Sequence, residues 1–258
     1  MMKGLSTLLV LLAAGLWPCA HVTYASTSVE AYLEPNAVSI GAFFSGARIT
    51  VAGKVPASSE VLITVTGQNE DLKLNRKGRA FGLLWMNVGT TTFHDVPSVY
   101  LLYTSESLAP IGRDHFESMP GGFESLGKKT TITPSPGEAA GVLFKEFLKL
   151  KKKEGLYAVH RGEIQYSQEK DGEKSYEAAL RIPAKIPPGQ YEVKVSALNS
   201  GSVIGEASEY LTVRESGMPA YLSSFSLKHG LLYGILAILT AIAAGLLMDT
   251  LFGRKGSH

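Results

Sequence analysis

Between Val29 and Tyr103 the apolar positions come in short β-prone runs broken by turns. Ala47–Val51 (ARITV) stops at Gly53 and Pro56, and Val61–Thr66 (VLITVT) alternates before Gly67. Leu72 and Leu74 lead into Arg76-Lys77-Gly78, which predicts a strand entering a turn. Phe81–Val88 (FGLLWMNV) and Val99–Tyr103 (VYLLY) are the most apolar of these runs. Breaks roughly every 8–12 residues, with β-branched and aromatic enrichment, predict a sandwich or barrel. The period then changes. Glu138–Lys153 (EAAGVLFKEFLKLKKK) predicts an amphipathic helix, with Val142, Leu143, Phe147 and Leu150 on one face and Lys145, Glu146 and Lys149 largely opposite. Pro136 precedes that helix and Gly155 terminates it. Strands resume at Leu156 and include Tyr176–Ile182, Tyr191–Leu198 and a last one over about Ala207–Val213. In YEVKVSAL, Tyr191, Val193, Val195 and Ala197 share one face and Glu192, Lys194 and Ser196 the other, so one face meets a core and the other water.

One stretch has no period at all. Gly230–Met248 (GLLYGILAILTAIAAGLLM) carries no charge, and its only hydroxyls are on Tyr233 and Thr240. At about 1.5 Å per residue it reaches about 28 Å as a helix, close to the roughly 30 Å hydrocarbon core of a bilayer. It is apolar on every face, which a helix with one side in water would not be. The pattern predicts a transmembrane helix over 227–249.

The N-terminus has Lys3, an apolar run from Leu8 to Trp17, and small residues Thr23 and Ala25. That is the anatomy of a signal peptide over 1–25. Cys19 is the only cysteine, and Leu16-Trp17-Pro18 before it lacks the small residue of a lipoprotein signal. With the leader removed no disulfide can form, and the body rests on its hydrophobic core. The chain then divides into a periplasmic β domain over 26–214 with a helical insert at about 105–155, a linker over 215–226, the span, and a cytoplasmic tail over 250–258. Tyr221 and Phe225 in the linker suit the membrane interface. Arg254 and Lys255 in the tail agree with a cytoplasmic end.

Among 258 residues, 25 Lys and Arg against 23 Asp and Glu leave a net charge of +2, so nothing calls for nucleic acid as a partner. Lys151, Lys152 and Lys153 form the only basic run, placed to complement a helix dipole and meet solvent. No GxSxG, HExxH, CxxC, P-loop or dinucleotide fingerprint is present. His94-Asp95 and Asp114-His115 are adjacent pairs, and neighbours on a strand point to opposite faces, which makes no ready metal site. No catalytic residue, cofactor or metal is expected, and the reading is non-enzymatic. Two sets of candidate interaction residues remain. Gly234, Ala237, Ala241 and Gly245 form a small-residue stripe on the span, suited to close packing of a partner helix. Arg76, Lys77 and Arg79 beside Trp85 and Asn87 form a candidate partner or anion surface.

The run from Pro187-Pro188-Gly189 through YEVKV to the Asn199-Ser200-Gly201 turn resembles the final strands of immunoglobulin-like sandwiches. A wider resemblance covers most of the chain. Phe44-Ser45-Gly46-Ala47-Arg48-Ile49 with Val51-Ala52-Gly53, Arg76-Lys77 with Trp85-Met86-Asn87, Val96-Pro97-Ser98-Val99-Tyr100, Gly155-Leu156-Tyr157, Pro187-Pro188-Gly189-Gln190-Tyr191 and Tyr233-Gly234 recur in this order. They resemble a family of transmembrane proteins described mainly from alphaproteobacteria. The resemblance implies architecture and location, in the bacterial inner membrane, and a link to permeases of the sulfite-exporter type. It implies no mechanism. The expected fold is mainly β: an immunoglobulin-like sandwich with a helical insertion, plus one C-terminal transmembrane helix. The expected function is a membrane-anchored accessory subunit that partners the bilayer and an integral membrane protein; the alternative is a periplasmic binding module for a small anion or metal.

Overall fold

The computed structural model describes residues 29–80, 84–105, 121–134, 139–167 and 169–252. The expected leader, Pro136, the Asp114-His115 pair, and Arg254 and Lys255 of the tail lie outside the described residues. The strands are β1 (Tyr32–Glu34), β2 (Ala37–Ile40), β3 (Ala47–Pro56), β4 (Glu60–Thr66), β5 (Asn69–Ala80), β6 (Leu84–Pro97), β7 (Tyr100–Ser105), β8 (Thr131–Thr133), β9 (Tyr157–Tyr166), β10 (Glu173–Ile182), β11 (Gly189–Asn199) and β12 (Ser202–Glu215). The helices are α1 (Phe123–Lys129), α2 (Ala140–Glu154), α3 (Met218–Lys228) and α4 (Gly230–Phe252).

A mainly β body, a helical insertion and a C-terminal apolar helix are what the pattern predicts. The hydrogen bonding, however, does not divide the body into the two separate sheets of a sandwich. Nine strands form one sheet in the order β1-β3-β10-β9-β7-β4-β11-β12-β2. The stretches β1-β3-β10-β9 and β7-β4-β11-β12 share the A-B-E-D and C′-C-F-G order of immunoglobulin sheets. They depart from it where β7 and β9 pair in parallel from Tyr100↔Tyr157 onward, which joins the halves. The two edge strands, β1 and β2, are joined only by Pro35 and Asn36, so the sheet comes round almost to its own start. Thr212 N–H of β12 donates to the Asn36 carbonyl at 2.9 Å, at the start of the parallel β12–β2 ladder. A nearly closed sheet leaves little open edge for stray pairing.

Burial explains the two kinds of strand seen in the sequence. β10 alternates, with Tyr176, Ala178, Leu180 and Ile182 buried and its other face toward solvent. β4 does not alternate as expected: Val61–Val65 are buried on both faces, as is β7, whose VYLLY reads as a continuous apolar run. The inner faces build a core that includes Val51, Ile63, Leu101, Leu180, Val193 and Val195. A second core lies outside the sheet, where Leu62, Tyr100, Leu102 and Leu198 meet Phe93 and Val96 of β6, Phe123 and Leu126 of α1, and Phe147 and Leu148 of α2. Both the β5–β6 hairpin and the helical crossover from β7 to β9 therefore serve as its cover. β11 records the change along its length. Its inner face is buried as expected, but on the other face Ser196 and Leu198 are buried too, under this added layer.

Helix α2 departs from its expected face. Phe147 and Leu148 are buried with Leu143 and Phe144 packed beside them, whereas Val142 is 60% and Leu150 37% exposed. Lys151 is drawn inward beside them, to 4% exposure, with its Nζ 3.4 Å from Glu70 Oε1 on β5. Lys151 is thus a buried ion-pair member rather than a solvated end charge. Lys152 sits over the Phe123 ring at 4.6 Å, an energetically useful cation–π distance. Gly155 ends the helix as expected, at φ 76° in the left-handed region.

Tyr191 opens β11 and donates its hydroxyl to the Pro187 carbonyl at 2.6 Å, a tyrosine corner between β10 and β11. Its ring is 1% exposed, and burial pushes the phenol pKa up to about 12. Tyr191→Phe removes the donor and leaves the carbonyl short of a partner. We expect unfolding free energy to fall by about 1–3 kcal/mol in urea titration, with the β-sheet circular dichroism unchanged.

A membrane-tethered body and a basic hairpin arm

Arg76, Lys77 and Gly78 do not enter a turn. β5 continues straight through them to Ala80 and pairs with β6 along its whole length. A register shift at Arg76/Lys77 leaves β6 with one extra residue there, Val88. Register positions Lys77↔Asn87 and Arg79↔Trp85 are opposed, so four of the five candidate residues fall on one face of the hairpin. Arg76 pairs with Gly89 on the other side of the shift. Lys77, Arg79 and Asn87 are exposed, and so is Met86 at 50%. Asn87 has a local task, since its Oδ1 accepts the Gly89 N–H at 3.1 Å and closes the bulge.

A polar clamp the sequence did not show holds the root of this arm. Asp71 on β5 faces His94 on β6, Oδ2 to Nδ1 at 3.0 Å, and the other His94 nitrogen lies 3.1 Å from Thr133 Oγ1 on β8. Asp71 Oδ1 accepts the Asp95 N–H at 3.1 Å, and Asp95, at φ 57°, accepts the Asn69 amide at 3.0 Å. Half-exposed His94 and exposed Asp95 thus tie three strands together at the surface. The hydrogen bond from His94 and then the Asp95 N–H lower the Asp71 pKa below its ordinary 3.8. A lowered carboxylate contributes stability above its unfolded pKa and loses it as pH falls through the folded one. The protection factor of the Asp95 amide, measured against the intrinsic exchange rate at each pH, should therefore hold down to about pH 4 and fall below it, and Asp71→Asn should remove that fall.

At the far end of the chain, α4 is 23 residues long, with a 21-residue apolar window, Gly230–Thr250, none of which is buried. The expected linker is not irregular. Its residues 218–228 form α3, which breaks at His229 before α4 begins. At 100° per residue, Gly234, Ala237, Ala241 and Gly245 fall within an arc of about 80°, so the stripe occupies one side of α4. A Cβ built on Gly234 or Gly245 would meet nothing within 4 Å. The stripe and the arm are separate surfaces, but they are rooted at the same end of the sheet. Thr66, from which the arm departs, is in register with Glu192, and Glu192 with Tyr210 near the exit of β12 toward α3.

A family model described as "Putative transmembrane protein (Alph_Pro_TM)" matches residues 28–254, nearly the whole chain. The protein belongs to this family. The match runs from before β1 through α4, so body and span are family features together. No curated protein matches the chain.

Sequence reasoning also missed a groove of about 410 Å³ between α1, β8 and α2. Phe123, Phe144, Ile132 and Leu148 line it, with Lys128 and Lys145 at its edge. Gly127 matters to its shape, because a Cβ there would come within 2.7 Å of the Phe144 ring. No sequence signal pointed to it, since its walls come from elements brought together only by the second core. Among the described residues no three His, Cys, Asp or Glu side chains converge as a metal site would require.

Proposed function

We propose that the protein is a non-enzymatic, single-pass accessory subunit of the bacterial inner membrane, with its β body in the periplasm. Its helix packs laterally against an integral membrane partner, and a transporter of the sulfite-exporter type is the partner class implied by the family resemblance. The observation that carries this is the contrast between body and span. The body packs most of its large apolar residues into two cores, while α4 leaves every face uncovered and carries Gly234, Ala237, Ala241 and Gly245 along one side. Such a side lets a second helix approach closely and gain packing that lipid does not supply.

Purification of the full chain in mild detergent, followed by mass spectrometry, tests the reading. A stoichiometric multi-span protein should co-purify, and Ala237→Leu with Ala241→Leu should release it. A lone monomer from native membranes counts against it. A reporter fused after His258 should be active on the cytoplasmic side. Should the protein instead be a binding module for a small anion, sulfite or sulfate at 100-fold its dissociation constant would raise unfolding free energy by about 2.7 kcal/mol without any partner.

A further inference from the structure

We propose that the outer half of the β5–β6 hairpin lies on the lipid surface of the membrane that α4 spans, with its basic positions against anionic headgroups. Three observations converge on this. The first is charge. From Leu72 to His94 the chain holds Lys73, Arg76, Lys77 and Arg79 and no Asp or Glu, in a protein whose net charge is only +2. The second is the lack of cover. β8 pairs with β6 only over Thr92–His94, so among the described residues no strand flanks the hairpin from Asn75 to Ala80 or from Leu84 to Thr90. Lys77, Arg79, Met86 and Asn87 are accordingly exposed, and register places Trp85 across from Arg79.

The third is position and reach. The hairpin is rooted at the end of the sheet from which β12 leaves for the span. Six residues of strand beyond the root, Asn75–Ala80, extend about 20 Å, and the 11-residue tether helix α3 measures about 16 Å. The arm is therefore long enough to meet the surface that the tether reaches. A basic strand with an aromatic residue at its register partner suits the headgroup layer, where Trp is enriched and each Lys or Arg gains from anionic lipid. Exposed lysines on an edge strand also discourage sheet-to-sheet association, but that role predicts no dependence on lipid charge.

The test uses the full chain, purified and reconstituted alone into nanodiscs of phosphatidylcholine with or without phosphatidylglycerol. The sequence has two tryptophans, Trp17 and Trp85, so Trp17→Phe leaves Trp85 as the only reporter. With phosphatidylglycerol present, brominated lipid should quench Trp85 and aqueous acrylamide should reach it less than in detergent. High salt should reverse both changes in the otherwise unaltered protein, since exposed charges are screened beyond about 10 Å at 0.1 M. K77E with R79E should lower the docked-to-undocked ratio at least roughly 25-fold, at about fivefold per charge. Equal quenching in zwitterionic discs, or indifference to both salt and charge reversal, overturns the proposal. Protection of Trp85 that arises only when a co-purified membrane protein is added overturns it too, and assigns the arm to that partner. The proposal rests on α4 spanning the membrane and not on the accessory role, so the co-purification result does not decide it.

Discussion

Leu239→Arg together with Ile242→Arg should detach the protein from the membrane. Both side chains sit near the middle of α4, at 58% and 55% exposure, where they would meet acyl chains. An Arg at the centre of a membrane helix costs about 2.5–3.5 kcal/mol on insertion scales, and the lost Leu or Ile adds about 0.5 kcal/mol each. The pair therefore shifts insertion by roughly 6–8 kcal/mol, at least four orders of magnitude in the equilibrium. In an alkaline carbonate wash the unaltered chain should stay in the pellet and the double variant should move to the supernatant. Thr250→Lys is the control, because a lysine at the helix end can reach water along its own stem. If the double variant still needed detergent for extraction, α4 would not be the anchor.

The second large effect belongs to the outer core. Phe147 is fully buried, stacks on Phe93 at 4.7 Å between ring centroids, and meets Tyr157 edge-on at 5.6 Å. It thereby joins α2 to the β5–β6 hairpin and to the start of β9. Phe147→Ala should lower unfolding free energy by about 3–5 kcal/mol, the usual cost of removing a buried ring and leaving a cavity. Phe147→Leu should recover most of the loss, since it restores most of the volume. Limited proteolysis should find new cleavage in α2 and the hairpin before it finds any in β10 or β11. β10 faces the inner core alone and β11 does so along most of its length, with only Leu198 reaching the outer one. A loss below about 1 kcal/mol would show that the outer core is not a packed unit.

Both predictions bear on how the arm is held. The outer core fixes the inner half of the hairpin through Phe93 and Val96, and the clamp of Asp71, His94 and Thr133 fixes its root. Only the half beyond that root is left for contact with another surface. Lys151 and Glu70 add a charged tie between α2 and the same root, so helix and hairpin are coupled although they lie far apart in sequence.

Much of this was legible from the residues alone. Nineteen uncharged residues of sufficient length can only be accommodated by lipid or by a fully apolar interior, so the span could be read without coordinates. Alternation in Tyr191–Ala197 named its buried face correctly, because a strand's side-chain period is fixed by its backbone. Gly155 ended its helix where expected, because few residues tolerate its positive φ. The basic and aromatic residues around 76–87 were also visible, as a cluster in sequence.

Other features depended on contacts that no local pattern encodes. β4 reads as alternating, yet both its faces are buried, because a hairpin and two helices supply a second cover that its own residues do not announce. The seam of α2 runs through Phe144, Phe147 and Leu148, which pack on the outer core, and Glu70, 81 residues away, pairs with the Lys151 buried beside them. The joining of the two halves of the sheet rests on the parallel β7–β9 ladder, whose strands are separated by the whole helical crossover. Period and composition report what one segment buries; which segment buries it is settled by long-range register and packing, and these exist only once the chain has closed on itself.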